Sequence, residues 1–186
     1  MRSDLTMYHN NIVPGLLQTA EYARALDRIY FASEPESTLN RRLQLKLERQ
    51  IFITRKTRPI VVDAILHESA IHTQVGGPAV MEDQLEHLVE MSKRPNITLR
   101  VLPFTAGHPL GTPAGSFTIL DMKPIAGTEN NPVVYFDSLV GAACLENPEE
   151  VETHRSAIAS IRHTALDEVS TRTRLRQVGK TFSRKG

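Results

Sequence analysis

A chain of 186 residues is long enough for one domain with a buried core, and 40% hydrophobic against 23% charged residues is the balance of a globular protein. The 22 Lys and Arg stand against 21 Asp and Glu, a net charge of +1, which gives no bulk attraction to nucleic acid. Cys144 is the single cysteine, which excludes an intrachain disulfide and a Cys-based zinc site, and no apolar run approaches the ~20 residues that cross a bilayer.

The opening "MRSDLTMYHNN" has neither the basic start nor the apolar middle of a signal peptide, so a cytoplasmic protein is expected. "IVPGLLQT" follows, an apolar run broken by Pro14-Gly15. From Gly15 to about Ala32 the spacing predicts a helix with Leu16, Ala20, Ala23, Leu26 and Tyr30 on one side. Pro14 suits its start, because the missing N–H is no loss in a first helical turn. Leu39, Leu43, Leu47 and Ile51 recur every fourth residue and predict a second amphipathic helix, with Arg41, Arg42, Lys46 and Arg49 opposite.

Pro59 ends that pattern, and the β-branched "PIVVDAIL" reads as a buried strand. "HESAIHTQVGG" reads as a short helix closed by Gly76-Gly77. Pro78 opens a further helix with Met81, Leu85, Leu88 and Val89 on its apolar face, stopped by Pro95. "ITLRVLPF", "GSFTILDM" and "PVVYFDSLV" then read as three strands, joined by Gly-, Pro- and Asn-rich connections too short for crossover helices. Asn147-Pro148-Glu149-Glu150 is a helix opening, with Val151, Ile158, Ile161 and Ala165 inward. Asp167 can cap a last helix from Glu168 to about Val178. The predicted class is α+β: a small antiparallel meander with one additional strand, packed by several amphipathic helices.

Few constellations carry chemistry. A metalloprotease helix needs two His at i and i+4, whereas His67 and His72 are five apart and separate by about 140° on an ideal helix. "AGHPLGTPAGSF", around His108 and Ser116, fits a binding loop and a bland structured turn equally well. It holds no GxGxxG, P-loop or GxSxG pattern. Glu68 and Asp137 as a carboxylate pair rest on nothing but their presence. Cys144, in apolar "GAACLE", reads as an inert core thiol. The basic clusters read as solvated helix faces, and no zinc finger, helix-turn-helix or RNA-binding signature occurs.

Taken in order, "VPGLLQTAEYARAL", "RRLQLKLERQ", "HESAIHTQVGGPAVMEDQLEHLVEMSKRPNITLRVLPFTAGHPLGTPAGSFTIL" and "VVYFDS" resemble the C-terminal domain of actinobacterial Xre-type helix-turn-helix transcription regulators, typified by streptomycetes and labelled antitoxin-like. The resemblance runs from Ile12 to about Leu175. It implies a regulatory domain that senses an effector or a small acidic partner protein encoded nearby. It also implies that DNA is met only through an N-terminal helix-turn-helix module that is not among these residues. On that basis residues 1–11 read as a remnant of the joining helix, 12–178 as one regulatory domain and 179–186 as a basic, flexible tail. The chain departs from the resemblance at His67, where an acidic residue is common, at His72, where Arg is common, and at Asp137, where Glu is common.

The candidate ligand- or partner-binding residues are Arg49, Glu68, His108, Ser116, Tyr135 and Asp137, with no cofactor and no metal. An Arg49–Glu68 ion pair linking helix to strand is the plain structural alternative, and Gln18 and Tyr22 read as fixing the first helix to the sheet. Three functions follow: a non-catalytic sensor or interaction domain, an enzyme acting on a nucleotide- or sugar-like metabolite, and a homodimerisation domain using apolar faces of the terminal helices. The first is the reading carried forward.

Overall fold

The computed structural model describes residues 3–122, 131–138 and 141–183. Its strands are β1 (Ser3–His9), β2 (Val61–His67), β3 (Ile97–Leu102), β4 (Phe117–Met122), β5 (Val133–Ser138) and β6 (Gly141–Leu145). The helices are α1 (Ala20–Tyr30), α2 (Glu36–Thr54), α3 (Glu68–His72), α4 (Pro78–Met91), α5 (Pro148–Thr164) and α6 (Glu168–Ser183). The strands form one mixed sheet in the order β3-β2-β1-β4-β5-β6. β1, β2 and β3 run parallel, and β4, β5 and β6 continue antiparallel from the other side of β1. The class is α+β.

Three expectations are corrected. Residues 3–9 are not a helix remnant but a central strand, because Leu5 and Met7 turn to one face and Tyr8 to the other, the period of a strand buried on both sides. β3 is not part of the meander. It lies at the far edge, parallel to β2, because the 103–116 connection crosses the carboxyl ends of β2 and β1 before β4 begins. Fourteen residues easily span the roughly 14 Å of three strand spacings. The last helix does not end at Val178: α6 reaches Ser183 and buries Phe182.

Two cores result. On the first face, Met7, Ala64, Leu66 and Leu99 meet Tyr22 and Leu26 of α1, Leu85 and Leu88 of α4, and Leu175 and Val178 of α6. On the second, Tyr8, Ile65, Phe117, Ile119 and Val134 meet Val151, Ile158 and Ile161 of α5. The inner faces of α5 and α6 are thus spent on the fold. α2 packs mainly on α1 and on the turn before it. Leu39 and Leu43 are buried there, but Ile51 is 59% exposed and Ile53 takes the inner place. An every-fourth-residue stripe drifts about 40° per step, so three steps carry Ile51 off the buried side.

"IVPGLLQT" is a backbone junction. Residues Gly15–Leu17 form a 3-10 turn, and α1 starts after Thr19, whose hydroxyl accepts the Tyr22 N–H. Gln84 of α4, fully buried, accepts the Thr19 N–H at 2.7 Å and donates to the Leu17 carbonyl at 2.8 Å. Gln50 of α2 donates to the carbonyls of Gly15 and Gln18, and Gln18 donates to that of Val13. The Tyr22 hydroxyl accepts the Val13 N–H. Gln18 therefore secures the turn itself, whereas Tyr22 both ties the turn through its hydroxyl and packs α1 against the sheet.

Candidate functional site

Chain order runs outward from β1 to β3 and then returns to the other side of β1, so the carboxyl end of β1 is the switch point of the sheet. Crevices at such points collect ligands in open sheets, because neighbouring connections diverge there. Here the divergence is lined by polar groups. Asn10, just after β1, donates its N–H to the Ser116 hydroxyl at 3.0 Å, and that hydroxyl donates to Asn10 Oδ1 at 2.8 Å. The Ser69 hydroxyl donates to the Asn10 carbonyl and lies 2.6 Å from His67 Nδ1. The Ser69 N–H lies 3.2 Å from the same nitrogen. A strip from His67 through Ser69 and Asn10 to Ser116 thus crosses the ends of β2 and β1 and the start of β4.

Glu68 is the first residue of α3 and is 3% exposed. Its Oε2 accepts the Phe104 N–H at 2.7 Å, and its Oε1 accepts from Arg174 of α6 and from His72. Burial alone would raise this carboxyl, but the Phe104 N–H, Arg174 and His72 outweigh it and hold Glu68 below the usual carboxylate range. Phe104 is 56% exposed, with its ring 5.4 Å from that of His67 and 5.9 Å from that of His72. Burial pushes the His67 imidazole below its ordinary pKa. The neighbouring Glu68 opposes that shift and the nearby His108 adds to it.

Arg49, Tyr135 and Asp137 belong to a second group. The strand register places Thr118, Tyr135 and Cys144 side by side, on the face that also carries Met7 and His9. α1, α4 and α6 cover that face over β1–β3. Over β4–β6 it is open: Asp137, Ala142 and Cys144 are exposed, while Phe117, Ile119 and Val134 opposite are buried. Tyr135 donates its hydroxyl to Asp137 Oδ1 at 2.6 Å. That bond, with burial, pushes the phenol up to about 12, against the pull of the Arg49 guanidinium. His9 borders the same face. Burial pushes its imidazole down to about 4 against the opposing charge of Asp137. Its Nδ1 is buried without a hydrogen-bond partner among the described residues.

Glu68 and His108, the Ser116–Asn10 pair and the Tyr135–Asp137 pair are therefore successive parts of one edge of the molecule. The readings of Arg49 and Cys144 change. Arg49 does not pair with Glu68: Arg174 takes that place, and Arg49 acts on Tyr135 instead. Glu68 and Asp137 form no acid pair, each being committed to other donors. Cys144 is exposed on the open face, not a core thiol. His67 and His72 flank Phe104, and no group of three or more His, Cys, Asp or Glu side chains is placed to hold a metal ion among the described residues.

Sequence reasoning missed His9, Asn10, Ser69 and Arg174. The first two lay in a segment read as linker. Arg174 sat in "TRTRLRQ", where alternating basic residues look like a solvated face. A separate cleft of about 330 Å³ between α4 and α6 is lined by Glu82, Asp83, Glu86, Arg176 and Lys180 and contains none of the candidate residues.

No curated protein and no solved structure matches the chain. One family model does, and it takes in the central strand β1 as well as most of α6. Residues 3–177 match it, and the chain belongs to the family described as a domain of unknown function, DUF5753.

Proposed function

We propose that this chain is the sensor and interaction domain of an Xre-type helix-turn-helix transcription regulator. It receives a small partner protein or a small-molecule effector along the carboxyl edge of the sheet and performs no catalysis. The observation that carries the reading is the polar strip at the switch point, continued by the open face that holds Tyr135 and Asp137. The resemblance to regulators of this type supplies the biological setting. Of the set an enzyme would draw on, Glu68, Ser116 and Tyr135 hydrogen-bond to different partners, and His108 acts on His67. A catalytic constellation needs nucleophile, base and orienting group within hydrogen-bond reach of each other. Their division favours recognition over chemistry.

The test is co-purification of the tagged chain with the product of the neighbouring gene, repeated with His108→Ala and Asp137→Ala. Retention by the wild type, weakened about tenfold or more by either change, is expected for side chains central to an interface. If no partner is retained and no metabolite raises the melting temperature, the proposal fails.

A further inference from the structure

α2 is apolar on two sides. Leu39, Leu43 and Ile53 are buried, and the cations next to that inner side are engaged, Arg42 by Glu34 and Lys46 by Asp27. Leu45 points the other way, about 200° around the helix from Leu43, and Phe52, seven residues on, returns to within about 20° of Leu45. The two are 46% and 45% exposed. Arg41 and Arg49, four residues to either side of Leu45, flank this outer stripe and are exposed. Glu48 also lies on it and accepts a hydrogen bond from Gln44 at 3.0 Å.

The turn after α2 continues the same composition, with Arg55, Lys56 and Arg58 exposed. Three bonds fix that turn beside Phe52. The Ile60 N–H donates to the Phe52 carbonyl at 2.8 Å, Arg94 donates to the Thr54 carbonyl at 2.7 Å, and Arg55 Nε donates to the Arg58 carbonyl at 2.9 Å. The Arg55 guanidinium lies 5.7 Å from the centre of the Phe52 ring, within cation–π range. Five cations, Arg41, Arg49, Arg55, Lys56 and Arg58, therefore surround two exposed apolar side chains, with Glu48 as the opposing charge on the stripe. A chain of net charge +1 carries here a strongly basic patch.

The charge calls for a polyanion, and the side chains choose which one. A nucleic-acid backbone would neutralise the cations and leave Leu45 and Phe52 in water. At an anionic bilayer, apolar side chains enter the boundary between headgroups and acyl chains while basic residues around them meet the headgroups. α2, 19 residues and about 28 Å long, presents both kinds of residue along one straight stripe. We infer that the outer side of α2, with the turn that follows it, is a docking surface for an anionic lipid bilayer. The helix lies flat on the surface with Leu45 and Phe52 inserted. Two side chains and five cations make a peripheral attachment, reversible and sensitive to salt. Arg49 aside, this surface shares no residue with the carboxyl-edge site.

The chain has no tryptophan, so an introduced one reports its own surroundings. On vesicles of phosphatidylcholine with about one-third phosphatidylglycerol, the emission of Phe52→Trp should shift to the blue and resist iodide quenching. On phosphatidylcholine alone it should do neither. Leu110→Trp, at a position 68% exposed on the connection that packs against α5, should not shift on either vesicle. Arg41→Gln, Lys56→Gln and Arg58→Gln together should weaken vesicle binding on the order of 100-fold, about fivefold for each cation, and leave the circular dichroism melt unchanged. Raising salt from about 50 to about 200 mM should release most of the bound protein. The inference is overturned by a wild type that stays off anionic vesicles, by equal binding to neutral ones, or by an equal blue shift at position 110. A short DNA duplex that binds the wild type more tightly than the anionic vesicles also overturns it. None of these readouts uses the partner protein, so this inference and the proposed function fail independently.

Discussion

Glu68 shows how one residue binds three elements. It is buried, yet both oxygens are satisfied, by the Phe104 N–H on one side and by Arg174 and His72 on the other. Removing the carboxylate leaves an unpaired guanidinium and an unpaired N–H. Glu68→Ala should therefore cost about 3 kcal/mol, and Glu68→Gln less, read from urea unfolding midpoints. Because Glu68 is held below its ordinary pKa, its contribution is complete above about pH 4.5 and fades as pH falls through the depressed folded value. His9, His67 and His87 act earlier in acid. Each is pushed down by burial, so the unfolded chain takes up protons near pH 6.5 while the folded chain does not, His9 resisting to about 4. Stability should drop on acidification from pH 7 to 5, by at most about 1.4 kcal/mol per pH unit from each histidine. His9→Asn should flatten part of that slope; parallel slopes for variant and wild type would refute the assignment.

The elements explain what the sequence made legible. α4 and α5 were readable because apolar spacing, a proline start and a following stop agree locally. β1 was not, although Leu5 and Met7 alternate with polar residues, because a seven-residue strand declares itself only through β2 and β4 on either side. Strand order was illegible for the same reason: nothing in "TAGHPLGTPAG" says that it passes over two strands. Of the candidate residues, Glu68, His108, Ser116 and Asp137 shared an edge because each stands at or near a strand end or in a connection on that side, and Tyr135, within β5, reaches it through its hydroxyl bond to Asp137. Arg174 could be matched to Glu68 only once α6 was in place.

The glutamines of the "IVPGLLQT" junction make a second test at this scale. Gln84→Met keeps the volume but strands the Thr19 N–H and the Leu17 carbonyl, and should destabilise by about 2–4 kcal/mol. A loss under about 0.5 kcal/mol would mean that water replaces the amide. Gly111 tests the 103–116 connection. Its φ is 100°, and an added Cβ would lie 2.5 Å from the Ala157 Cβ of α5. Gly111→Ala should cost about 2 kcal/mol or more and shift the connection off α5, visible as faster amide exchange around it.

At the scale of the whole molecule, β1 is the shared element. Six residue pairs join it to β2 and six to β4, Met7 lies in the first core, Tyr8 in the second, and His9 and Asn10 lead into the candidate site. In the regulator proposed here, a DNA-binding module attached ahead of Ser3 would be continuous with a strand of about 23 Å whose far end is the site. A change at the site would then have a rigid route to that module. The same centrality gives a stringent test of the fold. Deleting residues 1–9 removes what is, among the described residues, the only bridge between the parallel and antiparallel halves of the sheet, and opens both cores. Neither half can close the gap by sliding, because a one-residue slip would turn every core side chain to the wrong face. The truncated chain should lack a cooperative urea transition and near-ultraviolet dichroism. A truncated chain that still unfolds cooperatively, within about 1 kcal/mol of the full chain, would show that β1 is an accessory strand and would break the link drawn here between the amino terminus and the site.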